Sequence, residues 1–202
     1  MKTVLALASL AIVAGSAQAG TLNETEVNNT PALANPVGVF NVPGGSVLVN
    51  GTMTGGGAGI AGDVDWFSFT IGGTATMVTS VFSLDNGFAD SEVWLVAADG
   101  TTILGYNDDG NPGGGSGGMS SLLTLGLAPG NYYLALSGWD DGGAFNTLPD
   151  GFNGSAAPAP GAGVGHGENF TYTLLLGFNV VPTPGALALM GMGGMLAARR
   201  RR

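Results

Sequence analysis

The chemistry of this sequence is concentrated in its carboxylates. Fourteen Asp and Glu residues lie between Glu24 and Glu168, whereas the five basic residues are Lys2 and Arg199 to Arg202, at the two ends. The stretch between them has no lysine or arginine to pair with, and its one histidine, His166, is mostly neutral near pH 7. Carboxylates that folding brings together must then be solvated, protonated or neutralised by a bound cation. In an exported chain that cation is calcium, which takes carboxylate and carbonyl oxygens. Glu24 and Glu26 share one side of an extended segment, so both can reach one ion. Asn107-Asp108-Asp109-Gly110-Asn111 is a second candidate cation loop through Asp108 and Asp109. Its spacing is not that of an EF-hand, and a plain Asp-Gly turn is the alternative. The charge balance excludes nucleic acid and anionic membrane surfaces as partners of this region, because both require cations on the protein. Without cysteine and with a single histidine, a zinc site is excluded too.

Catalytic patterns occur without the context they need. Gly114-Gly115-Ser116-Gly117-Gly118 matches a nucleophile elbow but lies in a glycine-rich stretch with no helix to follow. Gly57, Gly59 and Gly62 satisfy a dinucleotide-binding spacing, yet a strand pattern follows them, so no helix N-terminus is present to hold a pyrophosphate. Asp108-Asp109 and Asp140-Asp141 sit in glycine loops where nothing buries one acid to raise its pKa for glycoside hydrolysis. No catalytic residue is assigned and the chain is read as a non-enzyme, a hydrolase being the distant alternative. Trp66, Trp94 and Trp139, with Tyr106 and Tyr133, are candidates for exposed aromatics that stack on sugar rings. They make a carbohydrate-binding module for exopolysaccharide the main alternative function. Burial of each ring under a second sheet is the competing reading.

The elements that must position these groups read as strands. Glycine is abundant and helix formers are scarce between the two ends, which points to strands joined by glycine-rich turns. In Asp65 to Ile71, Phe67, Phe69 and Ile71 alternate with Trp66, Ser68 and Thr70. Phe170, Tyr172, Leu174, Leu176 and Phe178 repeat with a period of two. Further strands are expected at Gly38 to Val42, Ser46 to Met53, Ala75 to Phe82, Glu92 to Ala97, Thr101 to Tyr106, Ser120 to Leu125 and Asn131 to Trp139. Roughly 160 residues are enough for one core, and the expectation is an all-β domain: a single two-sheet antiparallel β-sandwich, jelly-roll-like. An acidic segment, 20–37, precedes the sandwich at 38–179, and residues 107–118 and 140–169 are read as flexible glycine-rich loops.

Both ends read as addresses. Lys2, the apolar run Val4 to Ala14 and the small residues Ala17 and Ala19 make residues 1–19 a signal peptide helix cut before Gly20 by signal peptidase. At the other end, residues 180–202 hold Val181-Pro182-Thr183-Pro184-Gly185, an uncharged run to Ala198, and Arg199, Arg200, Arg201 and Arg202. Pro182 and Pro184 break a strand and open a short apolar helix, 184–198. At about 1.5 Å per residue the uncharged run reaches about 20 Å, short of the roughly 30 Å of a hydrocarbon core, so it is a marginal inner-membrane anchor with its arginines kept on the cytoplasmic side. The tail resembles the PEP-CTERM sorting signal of Gram-negative bacteria, with Thr183 standing where that family usually has Glu. The resemblance implies an exosortase-type membrane protease as partner and delivery to the cell surface or extracellular matrix.

The stretch between the ends resembles the bacterial pre-peptidase C-terminal domain. The resemblance rests on Glu24-Thr25-Glu26-Val27-Asn28-Asn29, on Gly62-Asp63-Val64-Asp65-Trp66-Phe67-Ser68-Phe69, on Val93 to Gly100, on Asn107 to Gly110 and on Ala128 to Leu134. It implies a β-sandwich of exported proteins and a calcium site. Carried across by position, the ligands are Glu24, Glu26, Asn28 and Asn29, with Asp63 and Asp65. A solvated acidic linker followed by a turn Asp pair is the alternative. The expected function is non-catalytic adhesion or matrix structure.

Overall fold

A computed structural model describes residues 19–55, 63–84, 89–107, 121–138 and 169–181. Ten strands run through the described residues: β1 Ala19–Asn23, β2 Asn35–Phe40, β3 Pro43–Met53, β4 Asp65–Ile71, β5 Thr74–Phe82, β6 Ser91–Ala97, β7 Ile103–Asn107, β8 Ser121–Leu127, β9 Gly130–Gly138 and β10 Phe170–Val181. They form two five-stranded sheets in the orders β1-β3-β10-β5-β8 and β2-β4-β9-β6-β7. The fold is an all-β sandwich.

Alternation builds the core. In β10, Phe170, Tyr172, Leu174, Leu176, Phe178 and Val180 are buried, while the residues between them are half-buried or exposed. From the second sheet, Phe67, Phe69 and Ile71 of β4 and Leu134 and Leu136 of β9 join the same core. Phe178 packs against Phe40 and Phe69, with ring centroids 4.1 and 5.1 Å away. Burying each such ring stabilises the fold by about 1.5–3 kcal/mol.

The sheets are mixed rather than antiparallel. β1 pairs in parallel with β3, and β2 in parallel with β4, while the remaining pairs are antiparallel. Parallel neighbours need a crossover, not a tight turn. The chain supplies it by alternating sheets over its first four strands, so each parallel partner is reached through a strand of the other sheet. The segment read as an acidic lead-in therefore contains β1, a short 3-10 helix at Pro31–Leu33 and the start of β2. Ala19 and Gly20, where the sequence reading expects signal-peptide cleavage, lie in β1 opposite Ser46 and Val47. β4 spans the residues its alternation predicts. β10 runs on to Val181, the last of the described residues.

Trp66 and Trp94 are not exposed stacking platforms. Each is about 1% exposed, on the outer face of the second sheet, in a separate apolar cluster with Val64, Val96 and Ala135. Tyr133 meets Trp66 edge-on at 6.2 Å, and Tyr106 packs on Trp94 at 5.1 Å. Ala34 and Ile103 also pack against this cluster, so the two rings are buried on the face opposite the main core. Trp139, Asp108, Asp109, Ala17, the signal helix and the tail from Pro182 to Arg202 lie outside the described residues, as do 108–118 and 139–168. Among the described residues no helix is long and apolar enough to cross a membrane.

Candidate metal centre

The acidic residues converge where the chain passes from one sheet to the other. Glu24 directly follows β1, and its N–H donates to the Asn50 carbonyl of β3 at 2.9 Å. Its side chain accepts from the Thr52 N–H. Two residues on, Glu26 precedes a cis peptide bond to Val27. The crossover is held to the second sheet by Asn35, at the start of β2. Its Oδ1 accepts from the Thr25 N–H at 2.7 Å and its Nδ2 donates to the Thr25 carbonyl at 3.0 Å. The Trp66 N–H donates to the Asn28 carbonyl at 3.1 Å, which sets the crossover beside β4.

Asp65, the first residue of β4, points into the sandwich like Phe67 and Phe69 and is fully buried. Tyr172 occupies an inward position of β10 in the facing sheet. Its hydroxyl lies 2.6 Å from Asp65 Oδ2 and 2.6 Å from Glu24 Oε2. A phenol has one proton and can donate to only one carboxylate at a time. Glu24, Glu26 and Asp65 each present an oxygen within 4.8 Å of the others. Directly opposite Tyr172, residue 51 is glycine, and a Cβ there would collide with the tyrosine hydroxyl and the Glu24 carboxylate.

Burial and crowding perturb these acids. Asp65 is held well above the usual carboxylate range, first by burial, then by the charge of Glu24 and a hydrogen bond with it. Asp63 is pushed up to about 7 by burial, then by the charge of Glu26 and a hydrogen bond with it. Burial, followed by the charges of Asp65 and Glu24, also raises the Tyr172 hydroxyl.

The donor set fits a hard divalent cation. Asp65 Oδ1, Asn28 Oδ1 and Asn29 Oδ1 are buried without a hydrogen-bond partner. An orphaned buried acceptor costs about 1–3 kcal/mol, and a cation held among these residues would give such oxygens a partner. All the donors are oxygen, which suits calcium over softer metals.

Of the residues singled out from sequence, Glu24, Glu26 and Asp65 meet in one cluster, and Asp63 adjoins Glu26. Asn28 and Asn29 lie on the same crossover with their side-chain oxygens buried. Sequence reasoning missed Tyr172, Gly51 and Asn35. Tyr172 did carry a signal: a hydroxyl in a stripe of Phe and Leu needs a buried partner.

No family model matches the chain, and no curated protein matches it. Among solved structures, it is similar to the pre-peptidase C-terminal domain of a collagenase from Bacillus anthracis, with 17% identity, TM-score 0.41, and 71% of this chain and 93% of that one covered. It is also similar to a periplasmic inhibitor of g-type lysozyme from Aeromonas hydrophila, with 13% identity, TM-score 0.37, and 80% of this chain and 98% of that one covered.

Proposed function

We propose that this chain is an exported, non-catalytic β-sandwich of the cell surface or extracellular matrix, in which one calcium ion pins the N-terminal crossover to both sheets. One observation carries the reading. Glu24, Glu26 and Asp65 crowd within 4.8 Å, in a chain whose basic residues are confined to its two ends. Asp65 and Glu26, with Glu24, would hold the ion, and Asp63, Asn28 and Asn29 would complete its oxygen shell. The ion supplies the positive charge that no lysine or arginine is there to give. The leader and the PEP-CTERM-like tail belong to the same reading as export and sorting signals, the tail being the substrate of an exosortase-type protease. The role read for the exported sandwich is adhesion or matrix structure.

Thermal unfolding of the purified chain in calcium, in magnesium and in chelator tests it. Calcium at about 100 times its dissociation constant stabilises by about 2.7 kcal/mol, a rise of about 5–10 °C for a chain of this size. Glu26→Gln and Asp65→Asn should each remove that rise. Equal midpoints in calcium, magnesium and chelator would sink the proposal.

A further inference from the structure

A groove of about 630 Å³ opens on the outer face of the first sheet, lined in part by Asn23, Asn50, Thr173, Phe82 and Leu84, and it reaches Glu24, Gly51 and Tyr172 of the acidic cluster. Its floor is a row that crosses four strands. Asn23 of β1 faces Asn50 of β3, Asn50 faces Thr173 of β10, and Thr173 faces Phe82 of β5. Residues directly opposite one another project on the same side of a sheet. The polar members are locked together: Thr173 Oγ1 donates to Asn50 Oδ1 at 2.9 Å, and Asn50 Nδ2 donates to Asn23 Oδ1 at 3.5 Å. At the end of the row Phe82 is 45% exposed and Leu84 is 94% exposed.

We propose that this groove binds a neutral polysaccharide strand. The inference rests on the surface or matrix reading and deepens it by naming a ligand class, and its groove borders the acidic cluster through Glu24, Gly51 and Tyr172. An exposed ring presents its negative face to the polarised C–H groups of a pyranose. The preset amides and hydroxyls match the hydroxyl edges of the sugar, with little side-chain freedom left to lose on binding. Charge selects the neutral class. An anionic polymer would meet a chain with 14 acidic residues and, between its ends, no lysine or arginine. The sugar platform expected at Trp66 and Trp94 is thus supplied by a phenylalanine on the opposite sheet.

The test is affinity electrophoresis of the full chain, with calcium present, in gels containing laminarin, dextran or hydroxyethyl cellulose, with alginate as the anionic comparison. Retardation is expected in at least one neutral glucan and not in alginate. Phe82→Ala and Asn50→Ala should each weaken it about tenfold, whereas Leu104→Ala, an exposed residue of the other sheet, should not. Migration unchanged in all three neutral glucans, retardation in alginate alone, or retardation insensitive to Phe82→Ala would overturn the proposal. A Phe82-dependent dimer without glucan binding would overturn it as well. Calcium-dependent melting measured on the same samples separates the two readings, since glucan binding can fail while the calcium rise persists.

Discussion

At residue 51 the absence of a side chain is what lets two acids and a tyrosine meet. Gly51 sits opposite Tyr172, and its missing Cβ is the space taken by the tyrosine hydroxyl and the Glu24 carboxylate. Gly51→Ala should therefore cost about 1–3 kcal/mol through overpacking and abolish the calcium-induced rise. Gly20→Ala is the control, because nothing lies within 4 Å of a Cβ built there. Melting both variants in calcium and in chelator checks the expectation, and a Gly51→Ala protein that keeps the full calcium rise would refute it. Gly51 does not stand out in a chain full of glycine, and Tyr172 shows in sequence only as a hydroxyl within an alternating apolar stripe. Their roles come from a contact between residues 148 positions apart, Tyr172 and Glu24.

At the scale of the element, the crossover between β1 and β2 is polar, tied to the first sheet by Glu24 and to the second by Asn35. Asn35 satisfies both the N–H and the carbonyl of Thr25, acting as a strand edge for the residue between the two glutamates. Asn35→Ala removes both bonds, so it should lower stability by about 1–2 kcal/mol. It should also weaken calcium binding, since Glu24 and Glu26 lose their common tether. Calcium titration by calorimetry, beside a melt in chelator, distinguishes this from a stability loss alone. A variant with lower stability and unchanged calcium affinity would show that Asn35 does not position the acids. The strands around this crossover were legible to different degrees. β4 and β10 declared themselves through alternation against the core, whereas Ala19–Asn23 has neither alternation nor bulk and becomes a strand only because β3 offers it an edge.

For the whole molecule the clustered acids set the pH dependence of the metal-free state. Asp63 is raised to about 7 and Asp65 is raised above its ordinary value, so the folded chain holds protons that the unfolded chain has released. Their contribution is fully present below about pH 4 and is lost as pH rises through the folded pKa values. In chelator the melting midpoint should therefore fall between pH 5 and pH 8, and calcium should flatten the slope by neutralising the same groups. A midpoint in chelator that climbs over this window would contradict the crowding of these acids. Asp99 acts in the opposite sense at lower pH. Hydrogen bonds from the Thr102 hydroxyl and from the Thr102 and Thr101 N–H groups lower it to about 2. Its contribution is lost only as pH drops below about 4, outside the window measured.

Sequence by itself determined the all-β class, because alternation and turn glycines are local properties, and it determined that the acids would lack basic partners, because charge can be counted along a chain. It also placed Glu24, Glu26 and Asp65 among the candidate ligands, through their resemblance to a family pattern. Tertiary structure alone decided the mixed sheets, the burial of Trp66 and Trp94 on the face opposite the main core, and the meeting of Asp65 with Tyr172. Each of these depends on which distant strands become neighbours. That choice is made by the packing of two whole faces against each other, so no short window of residues contains it.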